Sequence, residues 1–300
     1  MFYICADDYG MTKLTCERIE ECIKHGALNK ISVLPNAKHS TNVRERIPCR
    51  EAMVGLHLNL VEGKPVSPSE SVKLLVRDDG YFRYSFVGLF AKSLLPFNGE
   101  FREQIQREIK AQIRFWCEHI APGERLEIDS HQHTHMIPLV FRALMRVLDE
   151  ENLKPDYIRI PSEPILPYIL TPSLYFTYSP INIIKQWLLK LLGAVNRREL
   201  KRSVIKTAMF MGVMFSGNMD EKRVNKVLAH YIRFAEKHGG DIELLFHPGY
   251  INFGEDFFDR NKTDFLRFYL SPGRKTEYDT LRRLKVDKNF ERKAENGAVH

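Results

Sequence analysis

Phe2-Tyr3-Ile4-Cys5-Ala6-Asp7-Asp8-Tyr9-Gly10 is an apolar run that stops abruptly at a pair of carboxylates. A short continuous apolar run with a polar stop reads as a buried strand that delivers its last side chains to an edge of a sheet. Three further runs end in the same way. Met53-Val54-Gly55-Leu56 leads to His57-Leu58-Asn59, Leu126-Glu127-Ile128 leads to Asp129-Ser130-His131-Gln132-His133-Thr134-His135, and Ile242 to Phe246 leads to His247-Pro248-Gly249-Tyr250. If these runs are parallel strands, their carboxylates and imidazoles gather at the carboxyl edge of one sheet, where α/β folds place active sites. Such a gathering suggests a metal hydrolase.

Working outward, helix signals fill the gaps. Thr12 or Thr15 caps a helix with Ile19, Cys22 and Ile23 on one face, ending at Gly26, and Ile31 to Leu34 reads as the next strand. Phe101, Ile105, Ile109, Ile113, Trp116 and Ile120 recur at three- and four-residue spacing and predict a long amphipathic helix. Pro138 starts another, carrying Phe141, Leu144, Val147 and Leu148; Tyr157 to Ile160 follows as a strand, and residues 205–210 as a weaker one. Glu221 to His238 is a helix closed by Gly239 and Gly240. The alternation predicts an α/β fold, a distorted (β/α) barrel with about seven parallel strands. A curved sheet is preferred to an open one because only curvature brings the ends of distant strands together.

The expected organisation is one domain over residues 1–285, with insertions at 61–99 and 174–206 and a polar tail at 286–300. The first insertion, with Tyr81, Phe82, Tyr84, Phe86, Phe90 and Phe97, is either a lid or substrate platform or a small satellite core. The second carries Ile183, Ile184, Trp187, Leu188, Leu191 and Leu192 among Lys185, Lys190, Arg197, Arg198, Lys201 and Arg202. Its segment 181–202 reads either as a helix packed on the domain or as a basic amphipathic helix in weak contact with a membrane.

With 300 residues, 44% of them hydrophobic and 28% charged, the chain can bury a core for one large unit. The five cysteines are odd in number, lie within residues 1–120 and lack CxxC spacing, so a reducing compartment is expected rather than a disulfide framework. The first strand begins at Phe2, which leaves no room for a signal peptide, and no uncharged apolar run of about 18 residues exists to span a bilayer, so a cytoplasmic location is expected. The net charge of +7 is dispersed and reads as a solvated surface, not a nucleic-acid interface.

Adjacent residues leaving a strand point apart, so Asp7 and Asp8 cannot be equivalent metal ligands without a sharp turn. One would bind a metal while the other serves as a base; taken alone, the pair is equally an Asx turn or helix cap. His57 alone is a core histidine as readily as a ligand. If the chain stays extended, His131, His133 and His135 share one face with rings roughly 6 to 7 Å apart, so two neighbours could just meet at one ion and three could not easily do so. His247, at a strand end before a turn, suits a proton donor facing a pocket.

At these residues the chain resembles the YdjC-like carbohydrate deacetylase family, in which chito-oligosaccharide deacetylases and relatives proposed to act on hopanoid-linked sugars are found. The matching blocks are Ala-Asp-Asp-Tyr-Gly at 6–10, Gly-Leu-His-Leu-Asn-Leu at 55–60 followed by Glu62-Gly63-Lys64-Pro65, Asp-Ser-His-Gln-His-Thr-His-Met at 129–136, Arg159 with Pro161, and His-Pro-Gly-Tyr at 247–250. Tyr9 stands where Phe is frequent, and 174–206 follows no recognisable pattern.

The resemblance implies a distorted barrel that binds one divalent ion, Mg2+ or Zn2+ with Co2+ or Mn2+ as alternatives, on Asp8, His57 and His131. It implies Asp7 as general base and an acetylated amino sugar as substrate. His247 would then protonate the leaving amine, His133 would bind substrate, Arg159 would bind substrate or position Asp7, and Tyr81 and Tyr84 would stack on sugar rings. A homodimer is compatible with this reading. The competing readings are a sugar-binding barrel without catalysis, or a metal-dependent hydrolase or oxygenase of another substrate class.

Overall fold

The computed structural model describes residues 1–284 except 204, 255–256 and 260–261, and at 202 and 203 only the backbone; the 286–300 tail lies outside the described residues. Strand β1 (Phe2–Tyr9) is buried along its whole length. It is followed by α1 (Lys13–His25), β2 (Lys30–Val33), the short α2 (Val43–Arg46) and β3 (Met53–Leu58). Next come α3 (Phe86–Ser93), α4 (Gly99–Phe115), β4 (Glu127–Ser130), α5 (Pro138–Glu150) and β5 (Tyr157–Ile158). The chain continues through α6 (Leu166–Ile169), α7 (Pro180–Ser203), β6 (Ala208–Met211), α8 (Glu221–His238), β7 (Asp241–Phe246), α9 (Thr263–Tyr269) and α10 (Pro272–Arg283).

The seven strands form one parallel sheet in the order β5-β4-β3-β2-β1-β7-β6. The edge strands approach each other where Ile158 N–H donates to Lys206 O at 3.3 Å, a single parallel bridge that curls the sheet into a distorted barrel. The curvature needed to bring the chemistry-bearing strand ends together is therefore present.

Local signals explain most elements. Thr12 caps α1, its hydroxyl accepting from Thr15 N at 3.1 Å. Asp220 caps α8, which stops at Gly239 in a left-handed conformation, φ 72°. Helix α4 buries Phe101, Ile105, Ile109 and Ile113 as the periodicity requires, then continues as a π turn over Trp116–Ile120. The same helix carries a second, polar stripe. Gln104, Glu108 and Gln112 are buried, and they accept from Leu74 N, from Val66 N and Ser67 N, and from Asn59 N, at 2.7 to 2.9 Å. They pin the 61–99 insertion, whose Val61, Val72, Leu75, Val76, Phe82 and Leu89 join the main hydrophobic core. The insertion is thus cored into the barrel, with only its residues 85–87 reaching the cavity described below.

Candidate active site

Strand β1 ends in a bulge: Ala6 pairs with Ile31 but Tyr9 with Val33, so Asp7 and Asp8 on one strand lie opposite Ser32 alone on the other. Asp8 adopts φ 71° there. This left-handed residue is the sharp turn that lets both carboxylates of the pair face the same cavity. Gln132 (φ 53°) and His133 (φ 57°) are left-handed too. Of the five described non-glycine residues with positive φ, these three line one cavity, and backbone strain of roughly 1–3 kcal/mol per residue persists where surrounding structure holds it, often at functional sites.

Because of those two residues, 131–136 is a tight turn and not the extended segment that period-two spacing suggested. The three imidazoles separate as a result. His131 turns Nδ1 to Asp8 Oδ1 at 2.9 Å, while His133 packs edge-on against Phe210 and lines the cavity. His135 is fully buried between Ser130 Oγ on Nδ1 (2.5 Å) and Arg159 O on Nε2 (2.7 Å), and burial pushes it down to about 4, so it is a neutral structural residue.

Asp8, His57 and His131 each present one ligand atom, all within 4.8 Å of one another. Their outer atoms are occupied. His57 Nδ1 lies 2.5 Å from Asp129 Oδ1, His131 Nε2 lies 2.9 Å from Glu62 Oε2, and Arg274 Nη2 donates to Asp8 Oδ2 at 2.6 Å. Asp129 is itself held by Ser32 Oγ and by Arg159 Nη2, and Tyr269 OH donates to Glu62 at 2.7 Å. Carboxylate partners on the far ring nitrogens are the arrangement that orients metal-ligating histidines.

Asp8 Oδ1 is turned inward to His131 Nδ1 at 2.9 Å, and the buried His57 Nε2 beside it has no hydrogen-bond partner. A buried polar atom without a partner is costly, and His57 Nε2 faces Asp8 Oδ1 at 3.6 Å. The charges agree with the geometry. Four carboxylates, Asp7, Asp8, Glu62 and Asp129, lie against the two imidazoles, while two guanidiniums, Arg159 and Arg274, pair with them. Burial alone would lower both imidazole pKa values, but Asp7 and Asp129 hold His57 up to about 10, and Asp8 and Glu62 hold His131 up to about 9. Burial would raise Asp8, yet Arg274 and His131 hold its carboxyl well below the ordinary range. A field that keeps protons on both imidazoles also favours a cation between them, whose binding would release those protons. The residues therefore fit one divalent ion.

Asp7 is held on both oxygens by Arg159 Nη1, at 3.0 and 2.8 Å. Arg159 is fully buried and also pairs with Glu243 at 2.8 Å; it does not line the cavity, so its place is behind Asp7 rather than against substrate. Beneath it, buried Lys30 pairs with Glu127 at 2.6 Å. His247 lines the cavity, with Nδ1 3.6 Å from Glu277 Oε2 and its ring against Phe268.

The cavity measures about 510 Å3. Asp7, Asp8, His57 and His131 form its floor; Phe86 and Val87 of α3 and Ile181, Ile184 and Leu188 of α7 contribute an apolar wall. The expected sugar-stacking residues are elsewhere. Tyr81 lies beside Lys64 and Arg77, and Tyr84 packs edge-on against Phe101, so neither reaches the cavity. Sequence reasoning did not anticipate Arg274, Tyr269 or the pairing of Glu62 with His131. Glu62 lay inside a quoted motif, whereas the run that holds Arg274, Pro-Gly-Arg-Lys-Thr-Glu-Tyr-Asp, reads as an ordinary charged helix.

The chain is similar to several known proteins. Over 257 residues the chain is 26% identical to a Mus musculus carbohydrate deacetylase, covering 82% of this chain and 77% of that protein. It is 29% identical to a carbohydrate deacetylase of Thermoanaerobacter pseudethanolicus over 63% of this chain and 74% of that protein. It is also 29% identical to a chitooligosaccharide deacetylase of Proteus mirabilis over 51% and 57%. The match to a Danio rerio carbohydrate deacetylase spans half the length of that protein. A solved Enterococcus faecalis V583 protein, described in terms of cellobiose-phosphate cleavage, superposes over 98% of this chain and 94% of its own with a TM-score of 0.63 at 18% identity, a likeness of fold. The family described as YdjC-like protein matches residues 1–292, and with that match across nearly the whole chain, this protein belongs to the YdjC-like family.

Proposed function

We propose that this protein is a divalent-metal-dependent hydrolase that removes the N-acetyl group from an acetylated amino sugar, a chito-oligosaccharide or glycoconjugate. The observation that carries the reading is the convergence of one atom each of Asp8, His57 and His131 within 4.8 Å of one another, His57 Nε2 without a partner, in a cavity shared with a second carboxylate. Family relatives named as carbohydrate deacetylases support the substrate class.

Asp8, His57 and His131 would hold the ion, and two nitrogens with one oxygen suit zinc, cobalt, manganese or magnesium. When bound, it supplies Lewis acidity toward the acetyl carbonyl and a lowered pKa for water. Every other part of the chemistry belongs to side chains. Asp7, unable to swing because Arg159 grips both its oxygens, accepts the proton of the attacking water. His247, lining the same cavity, donates a proton to the departing amine, and Glu277 orients its ring. His133 offers an imidazole edge to the sugar, its Nδ1 buried and without a partner. The apolar wall of α3 and α7 excludes water from one side.

The test is acetate release from N,N′-diacetylchitobiose and N-acetylglucosamine conjugates by metal-stripped protein reloaded with each ion, with Asp7→Asn as control. Release that requires metal and is lost in the variant supports the reading. Stoichiometric metal uptake without release from any acetylated sugar sinks it.

A further inference from the structure

Helix α7 is inverted relative to an ordinary surface helix. Its inner side grips the barrel with amides: Asn182 donates to Ser216 O at 3.1 Å, Gln186 to Glu163 O at 2.9 Å and Asn196 to Met136 O at 2.8 Å, with Leu189 and Leu192 buried between them. Its outer side carries large apolar residues. Ile181, Ile184, Trp187, Leu191 and Val195 are between 52% and 63% exposed at the three- and four-residue spacing of one helical stripe. The concentration is local: of sixteen large apolar residues exposed in the described structure, ten fall in 166–195, including Phe176 with its ring wholly in solvent. Single exposed apolar residues are commonplace, but a clustered stripe marks an interaction surface.

Charge says what covers it. Lys190 on the flank of the stripe and Arg197, Arg198 and Lys201 just past its C-terminal end are exposed, and the Lys190 ammonium sits 5.4 Å from the Trp187 ring. An apolar stripe with a basic flank and an amphipathic aromatic is the composition of a helix lying in an anionic lipid interface. A second copy of the chain would bring those same cations against themselves. No described helix is long and apolar enough to cross a membrane, so contact would be peripheral. The stripe is also continuous with the catalytic cavity, because Ile181 and Ile184 belong to both, and Val87, on the α3 part of the same apolar wall, is 72% exposed.

We propose that the outer face of α7 docks on an anionic lipid bilayer, with the cavity mouth held at that surface. The apolar stripe inserts among acyl chains near the headgroups while the basic flank meets lipid phosphates. The docking is independent of what the cavity hydrolyses.

The test uses the full chain with vesicles of phosphatidylcholine alone or of equimolar phosphatidylcholine and phosphatidylglycerol, read by co-sedimentation and by tryptophan emission. The chain has two tryptophans; Trp116 is buried and Trp187 is 57% exposed, so a blue shift on binding reports α7 and vanishes in Trp187→Phe. The expected result is partition onto the anionic vesicles that weakens with salt, and falls roughly tenfold or more in Arg197→Ala/Arg198→Ala. Leu191→Glu/Val195→Glu, whose positions are exposed and outside the cavity, abolishes partition without changing circular dichroism. Failure to sediment with either vesicle, equal binding to the neutral one, or undiminished binding by both double variants overturns the proposal. So does a vesicle-excluded dimer that Leu191→Glu/Val195→Glu splits, which would assign the face to a second copy.

Discussion

Arg274 closes on Asp8 from 266 positions away in the chain, its Nη2 2.6 Å from Oδ2, and so commits one oxygen of that carboxylate while leaving Oδ1 turned to His57 and His131. The guanidinium is itself fixed, stacked 4.2 Å from the Tyr269 ring and 4.6 Å from Phe268 and bonded to Gly249 O. Replacing Arg274 by Met would free Asp8 to rotate and leave a buried carboxylate without its partner. Outer partners of metal ligands typically contribute 10- to 100-fold in affinity, so Arg274→Met is expected to lose roughly that much, measured by competition with a chelator. An unchanged dissociation constant would mean that Arg274 does not position Asp8 for the ion.

Asp129 serves His57 in the same way, but it also receives Ser32 and Arg159. Asp129→Asn presents an amide to His57 Nδ1 and leaves Arg159 short of a buried counter-charge, a change that costs about 3–5 kcal/mol when one partner of a buried pair is removed. It should lower both the melting temperature and metal affinity. Ser32→Ala, which removes one neutral donor, should cost about 1 kcal/mol and leave metal affinity nearly intact. Equal losses in the two variants would argue against a specific role for the His57–Asp129 contact.

The contrast between Asp8 and Arg274 also marks what the sequence can reveal. Carboxylates and imidazoles at strand ends are legible because a buried strand forces an apolar run, and the run's end locates the edge of the sheet. The left-handed turn at Gln132 and His133 is not legible, since neither position is glycine, and with that turn the period-two reading of His131, His133 and His135 fails. Arg274 was hidden for another reason. Half the residues of its helix are charged, and only packing against Phe268, Tyr269 and Asp8 takes that one guanidinium out of solvent. Tyr81 and Tyr84 misled because aromatic content does not disclose direction; the residues beside them, Phe86 and Val87, face the cavity instead.

Glu163 ties the 212–214 segment, which borders the cavity, by accepting from the backbone N–H groups of Gly212, Val213 and Met214. Burial pushes it up to about 7 despite those donors. With the folded value above the ordinary 4.5, its favourable contribution is complete below about 4.5 and is lost as pH rises through 7. The loss amounts to roughly 3 kcal/mol at its limit. Denaturant unfolding of wild type and Glu163→Gln between pH 4.5 and 8 should therefore give a stability difference that shifts with pH in favour of the variant. Parallel curves would mean that Glu163 keeps the same protonation state in both folded and unfolded chains.

His133 provides the sharpest separation of binding from chemistry. Its ring is held against Phe210 in a strained left-handed conformation, lines the cavity, and carries a buried Nδ1 with no partner, yet it stands outside the ligand trio. Burial, then Arg159, holds the imidazole well below its usual pKa, so under the proposed function it would meet substrate as a neutral donor and acceptor. His133→Phe keeps the ring packing and removes the hydrogen bond. A neutral hydrogen bond contributes about 0.5–1.5 kcal/mol, so KM should rise roughly 3- to 10-fold with metal stoichiometry unchanged. Asp7→Asn, by contrast, should lower kcat roughly 100-fold or more at similar KM, as the loss of a general base does. A loss of bound metal in His133→Phe would instead place this imidazole among the ligands.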